Sequence, residues 1–179
     1  MLARMIQRLR HLLNRRAPQQ ALNPTVAMER YERGVVLFDQ ENWSAAEREF
    51  TAAIGLSLPI AGMYHHRGSA YAEQGKHQEA VADYDAAIRL RPDYPDMYVD
   101  RGNSYHALEQ NENALKDYTE AIRLRPNYPE ALANRAAVHA DMGDDNASRL
   151  DADEAIARGV DRVALEELLE ETVKARKGK

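Results

Sequence analysis

The segment RGSAYAEQGKHQEAVADYDAAIRLRP, residues 67–92, returns 34 residues later as RGNSYHALEQNENALKDYTEAIRLRP, residues 101–126. An internal repeat of this length constrains the fold before any single residue is weighed. Working outward, the Arg67-Gly68 and Arg101-Gly102 pairs have counterparts one period away on each side, Arg33-Gly34 and Arg135-Ala136. Twelve residues after each small residue stand Ala46, Ala80, Ala114 and Ser148. Four further on stand Phe50, Tyr84, Tyr118 and Ala152. Three further on come Ala53, Ala87, Ala121 and Ala155, each followed by an isoleucine (Ile54, Ile88, Ile122, Ile156). Pro92 and Pro126 close the second and third units, Pro59 sits one place late in the first, and Val160 takes the position in the fourth.

Each unit reads as two helices. Ala80, Tyr84, Ala87 and Ile88 share one helical face, and a second helical stretch around Gly68 and Tyr71 precedes them. The polar break Gln74-Gly75-Lys76 separates the two. Small residues let paired helices approach, and the aromatic fills the space beside them. One helix pair cannot bury both of its faces, so the units must stack. The columns Arg33, Arg67, Arg101, Arg135 and Glu49, Asp83, Asp117, Asp151 also keep the 34-residue period. Each arginine therefore has an acid in step with it. The columns read as two-pronged structural ion pairs rather than as an anion-binding row.

Over about residues 27–162 this pattern resembles the tetratricopeptide repeat (TPR) family: the period is 34 and three units follow one another without insertion. Pentatricopeptide repeats are one residue longer and fit poorly. The fourth unit departs most, with His139, Ser148 and Ala152 at usual packing positions. The resemblance implies an all-α, right-handed α-solenoid of about four helix-turn-helix units with terminal helices. The expected organisation is a basic amphipathic helix and linker over 1–24, and an array over 25–162 with repeats 27–60, 61–94, 95–128 and 129–162. A capping helix then covers 163–179, N-capped by Asp161, with Leu165, Leu168, Leu169 and Val173 as its apolar stripe.

The resemblance also implies a concave face lined by the first helix of each unit. Its exposed positions are the second, fifth, sixth, ninth, twelfth and thirteenth of each repeat. Carried onto this sequence, the expected contact residues are Tyr31, Glu32, Val35, Phe38 and Asp39 in the first unit, and His65, His66, Ser69 and Glu73 in the second. The third unit supplies Asp96, Val99, Asp100, Asn103 and His106, and the fourth Glu130, Asn134 and Asp141. Seven of the 24 carried positions are acidic and none is Lys or Arg, so the groove is expected to be acidic. Some members of the family capture acidic C-termini with a two-carboxylate clamp of lysines, asparagines and an arginine. Here Asn103 and Asn134 match the two asparagines, but Val99, Ala164 and Leu168 stand where the cations belong. A basic or amphipathic peptide is the expected ligand instead. The acids would steer it, Tyr31, Val35, Phe38 and Val99 would supply apolar contact, and protonation of His65, His66 and His106 would oppose it.

The chain has 179 residues, a net charge of −5 and no cysteine. Disulfides, zinc ribbons and thiol catalysis are thereby excluded. The charge is uneven. Residues 1–28 hold Arg4, Arg8, Arg10, Arg15 and Arg16 with no acid, so the remainder carries −10. That balance argues against nucleic acid as a partner. Met1, Leu2, Met5, Ile6, Leu9, Leu12 and Leu13 recur at helical spacing among the arginines, up to Pro18, and Thr25 is a candidate N-cap for the helix that follows. Three roles fit residues 1–16: docking on the array as a cap, within the chain or by self-association; contact with an anionic membrane surface; or an organelle transit signal. Arginines interrupt any apolar core that a secretory signal would need.

No phosphate-binding glycine loop, HExxH or GxSxG occurs. His66, Asp100 and His106 could be imagined around a metal, but a hydrogen-bonding groove surface is the simpler reading. The sequence thus describes a non-catalytic protein-interaction module or scaffold without cofactor. Its expected location is cytoplasmic, with peripheral membrane recruitment through the N-terminal helix as the alternative.

Overall fold

A computed structural model describes residues 22–178, and those residues form nine α-helices and no strand. They are α1 Pro24–Asp39, α2 Trp43–Leu56, α3 Ala61–Glu73, α4 His77–Leu90, α5 Pro95–Ala107, α6 Asn111–Leu124, α7 Pro129–Met142, α8 Asp145–Ala157 and α9 Arg162–Lys177. The expected basic helix of residues 1–16 lies outside the described residues. Odd and even helices pair within each unit, and each even helix packs on the next odd one. Successive odd helices α1, α3, α5 and α7 also touch one another, whereas successive even helices do not. The array therefore curves with the odd helices on its inner side. This is the all-α repeat solenoid that the 34-residue period implies.

Local chemistry sets the helix ends. Prolines open α1, α5 and α7, where the missing N–H would have no helical partner. Asn23, not Thr25, caps α1: its side chain accepts from the Val26 amide at 3.2 Å. Thr25 is displaced into the helix because Pro24 is pre-shaped for the first helical position. Asp144 and Asp161 cap α8 and α9 through the amides of Ala147 and Ala164 at 3.0 and 2.8 Å. Within each pair the turn passes through one left-handed residue, and these recur at the repeat period: Glu41 (φ 58°), Gly75 (φ 73°), Glu109 (φ 58°) and Gly143 (φ 87°).

The core is built from repeated close approaches. An added Cβ on Gly34, Gly68 or Gly102 would fall 2.5, 2.8 and 2.8 Å from the ring of Phe50, Tyr84 and Tyr118 respectively. Only glycine admits the ring at that distance. The fourth unit inverts the exchange: Ala136 stands where glycine stood, and Ala152 replaces the ring, both buried.

The arginine column knits the units. Arg67 donates to both oxygens of Asp83 at 2.6 and 2.8 Å, Arg101 to Asp117 at 2.8 and 2.7 Å, and Arg135 to Asp151 at 2.7 Å twice. The remaining guanidinium nitrogen of each reaches back to the preceding unit, to Thr51, Asp85 and Thr119 in turn. The first rung departs from expectation. Arg30, rather than Arg33, holds both oxygens of Glu49 at 3.1 Å, and the Arg33 side chain is 58% exposed with only a loose 3.8 Å approach. No earlier unit among the described residues supplies the back wall that would confine it.

At the other end, α9 packs chiefly on α7. Leu165 is buried and Leu169 and Val173 are partly so, but Leu168 is exposed. Arg176 donates to the Ala140 carbonyl and, at 3.1 Å, to Asp145.

Candidate functional site

The expected contact residues stand on the odd helices, and the structure sorts them into different roles. At the first-unit end, Tyr31, Phe50 and His66 form a ring cluster with centroids 5.4–5.8 Å apart, and His65 continues it toward Tyr84 and Tyr94. His66 Nδ1 donates to the Gly62 carbonyl at 2.8 Å and lies 3.2 Å from the Tyr31 hydroxyl. Burial holds the His66 pKa below its ordinary value, partly opposed by the Gly62 hydrogen bond. His66 is thus a packed, neutral ring. That corrects the expectation of a groove histidine that charges readily below neutral pH.

His65 Nε2 donates to Asp100 Oδ2 at 2.6 Å, so the Asp100 carboxylate keeps one oxygen for a ligand. Because His66 is turned to Gly62 and Asp100 to His65, His66, Asp100 and His106 make no ligand set. Among the described residues no group of three or more His, Asp or Glu could hold a metal ion.

Two further expectations are corrected in the third unit. Val99 is only 6% exposed and belongs to the central apolar cluster, so it offers a ligand no contact surface. Asp96 is not a free steering charge. Arg125 donates to its two oxygens at 2.9 and 3.1 Å, and the Tyr128 hydroxyl to one of them at 2.6 Å. Partial burial would raise the Asp96 pKa, but these hydrogen bonds outweigh it and hold the group below the usual carboxylate range. Asp96 therefore ties the start of α5 to the segment that follows α6 at the end of the same unit.

The asparagines are also occupied. Asn103 Oδ1 accepts from Asn134 Nδ2 at 2.9 Å and from the Tyr118 hydroxyl at 2.8 Å. Asp141 accepts from Asn111 at 2.9 Å. Glu32 borders a shallow hollow on the first helix with Glu29, Arg33, Val36 and Leu37, away from the middle of the face. Glu32, Asp39, Glu73 and Glu130 are exposed, while Tyr31, Val35 and His106 are half-buried.

The middle of the inner face holds a hollow of about 380 Å³ bounded by Phe38, Ser69, Ala72, Glu73, His77, Tyr84, Asp100, Asn103 and Ser104. It gathers five of the expected contact residues: Phe38, Ser69, Glu73, Asp100 and Asn103. It adds His77, Tyr84 and Ser104, which the carried register missed. Tyr84 is buried and its hydroxyl donates to Ser69 Oγ at 3.3 Å; burial raises its pKa, so it stays protonated. A signal for Ser104 was present in the sequence. Its column in the repeat reads Val36, Ala70, Ser104, Val138, and a lone hydroxyl among apolar residues marks the exception.

The family model of the TPR repeat matches residues 68–109 and 102–143. Among solved structures, the chain is similar to the first TPR of Spaghetti (RPAP3) bound to the HSP90 peptide SRMEEVD. The identity is 26% over 69% of this chain and 98% of that one, with a TM-score of 0.66. It is also similar to the second TPR domain of human RPAP3 in complex with the HSP70 peptide SGPTIEEVD, at 24% identity, 65% and 98% coverage and a TM-score of 0.62. A third similar structure is YrrB, a TPR protein with an unusual peptide-binding site, at 16% identity, 79% and 73% coverage and a TM-score of 0.73. A search of curated proteins returns no significant match.

Proposed function

Because this chain is a member of the tetratricopeptide-repeat family, whose arrays mediate protein–protein contact, we propose that it is a non-catalytic interaction module. Its inner face takes an extended basic or amphipathic peptide segment. The observation that carries this reading is the charge of that face. Glu73 and Asp100 bound its central hollow, Asp39 and Glu130 are exposed on either side, and no lysine or arginine occupies any of the carried groove positions. The neighbouring arginines are committed elsewhere, Arg67, Arg101 and Arg135 to carboxylates between helices and Arg125 to Asp96. The peptides held by the two RPAP3 domains share the acidic ending EEVD. A face with this charge repels such an ending and attracts the opposite sign.

The rigid stack supports the same reading. The odd helices are held by the Arg–Asp columns and by close-packed rings, so the receptor side loses little freedom on binding. The test uses three fluorescein-labelled peptides with the full chain: octalysine, octaglutamate and an uncharged Gly-Ser octamer. Fluorescence anisotropy should show saturable, salt-sensitive binding of octalysine alone. Binding of octaglutamate in preference to octalysine would overturn the charge assignment. A membrane-recruited adaptor would depend on residues 1–16, which lie outside the described residues. Equal co-sedimentation with anionic liposomes with and without residues 1–24 would eliminate it.

A further inference from the structure

The central hollow holds more than an acidic rim. Ser104 is 1% exposed, and its Oγ has no hydrogen-bond partner. His77 Nδ1, also at the wall of the hollow, is buried without a partner. A folded chain rarely leaves such atoms unpaired, since each loses its water without replacement. The counterpart of Ser104 is alanine or valine in the other units. Asn111, the counterpart of His77, donates from Nδ2 to Asp141 and leaves only its Oδ1 unpaired, as Arg30 leaves only its Nε. Among the described residues, a hydroxyl and an imidazole nitrogen stand unpaired around one space only between the second and third units.

The other walls define what would fill it. Glu73 has neither a hydrogen bond nor an ion pair among the described residues, and Asp100 has one oxygen engaged by His65. No lysine or arginine bounds the hollow. Phe38 and Tyr84 supply aromatic surface and Ala72 an aliphatic patch. Two carboxylates, a buried hydroxyl acceptor and ring faces suit a cation that carries several N–H donors on a short apolar stem. We propose that this hollow is a subsite for one lysine or arginine side chain of the bound segment, with Ser104 Oγ as its buried acceptor and Glu73 and Asp100 as its counter-charges. The inference rests on the groove reading above and adds to it a position where one ligand cation is recognised individually.

The hydroxyl makes the proposal separable from general attraction. Ser104→Ala changes no charge and places in the third unit the residue that the second already carries at Ala70. Removing an unpaired buried hydroxyl should leave the free protein as stable as before or raise its Tm. The same change should weaken octalysine binding by about threefold to tenfold, the effect of one lost hydrogen bond. Glu73→Gln, at an exposed position, should weaken it by a similar factor. N-acetyl-lysine methylamide and its arginine analogue, titrated separately into ¹⁵N-labelled full chain, should shift amides around residues 69–77 and 100–104, and the stronger of the two identifies the preferred cation.

Three results would overturn the subsite. If octalysine binds the wild-type chain and both variants alike, but weakens with Glu130→Gln, the groove reading stands and the subsite fails. If Ser104→Ala lowers Tm and leaves affinity unchanged, the hydroxyl serves the fold alone. If octalysine does not bind the wild-type chain, both readings fall together.

Discussion

A methyl group added at Gly102 puts the packing argument at risk most directly. The new Cβ would sit 2.8 Å from Tyr118 Cε1 and 3.1 Å from its Cδ1 and Cζ. Carbon atoms in ordinary contact are about 3.5–4.0 Å apart, so the ring must retreat by roughly half an ångström or more. Tyr118 has little room to do so, being buried and anchored through its hydroxyl to Asn103. Overpacking of this kind costs about 1–3 kcal/mol. Alanine regains about 1 kcal/mol of helix propensity over glycine, so the net loss in Gly102→Ala is about 0–2 kcal/mol. Tyr118→Ala alone removes a buried ring and costs about 3–5 kcal/mol. In that background the added methyl meets no ring, so Gly102→Ala should become stabilising by about 1 kcal/mol. The propensity term cancels in the double-mutant cycle, which leaves a favourable coupling of about 1–3 kcal/mol equal to the strain itself. Urea unfolding followed by circular dichroism at 222 nm, on the wild type, both single variants and the double variant, measures it. A coupling within about 0.5 kcal/mol of zero would refute the claim that the glycine column exists to admit the ring. The fourth unit, with Ala136 opposite Ala152, already has the composition of the double variant.

The arginine column should be graded by burial. Asp117→Asn strips a buried partner from Arg101 and should cost about 2–4 kcal/mol, whereas Arg33→Ala, at the loose first rung, should change stability by under about 0.5 kcal/mol in the same urea assay. The inter-helix turns should be graded by backbone: an added Cβ on Gly75 meets nothing within 4 Å, so Gly75→Ala should cost about 1 kcal/mol from its positive φ alone. Glu109→Gly, at φ 58°, should by contrast cause no loss. His66 sets a pH dependence. Its pKa is lowered by burial in the folded chain, so the unfolded chain binds the proton more strongly. Its contribution is complete above the ordinary histidine value and is lost as pH falls through that value toward the lowered one. Urea midpoints at pH 7.5, 6.5 and 5.5 should fall less in His66→Gln than in the wild type, and identical profiles would refute this assignment.

The fold was legible because its determinants are local and repeated. Small and aromatic residues at helical spacing define each face, and a period of 34 repeats the same problem with the same solution. The Arg67–Asp83, Arg101–Asp117 and Arg135–Asp151 pairs were legible for the same reason, since both partners lie in one repeat at a constant separation. The site was legible only in outline. A carried register names which positions of a helix point inward, but not what each meets there. Asp96 finds Arg125 and Tyr128, 29 and 32 residues away at the end of its own repeat, and His65 finds Asp100 across 35, in the next repeat. Such partners depend on how the chain folds back at the end of a unit and on how one unit is set against the next.

The sequence by itself therefore determined the helix pairs, their order and their internal close approaches. Those properties follow from residue types at fixed short spacings. Tertiary structure alone decided that Val99 is sealed in the core, that His66 is packed among rings, and that Ser104 and His77 stand unpaired at one hollow with Glu73 and Asp100. Each of these outcomes turns on ångström-scale distances between helices of neighbouring units. The packing angle between units sets those distances, and no periodicity along the chain encodes it.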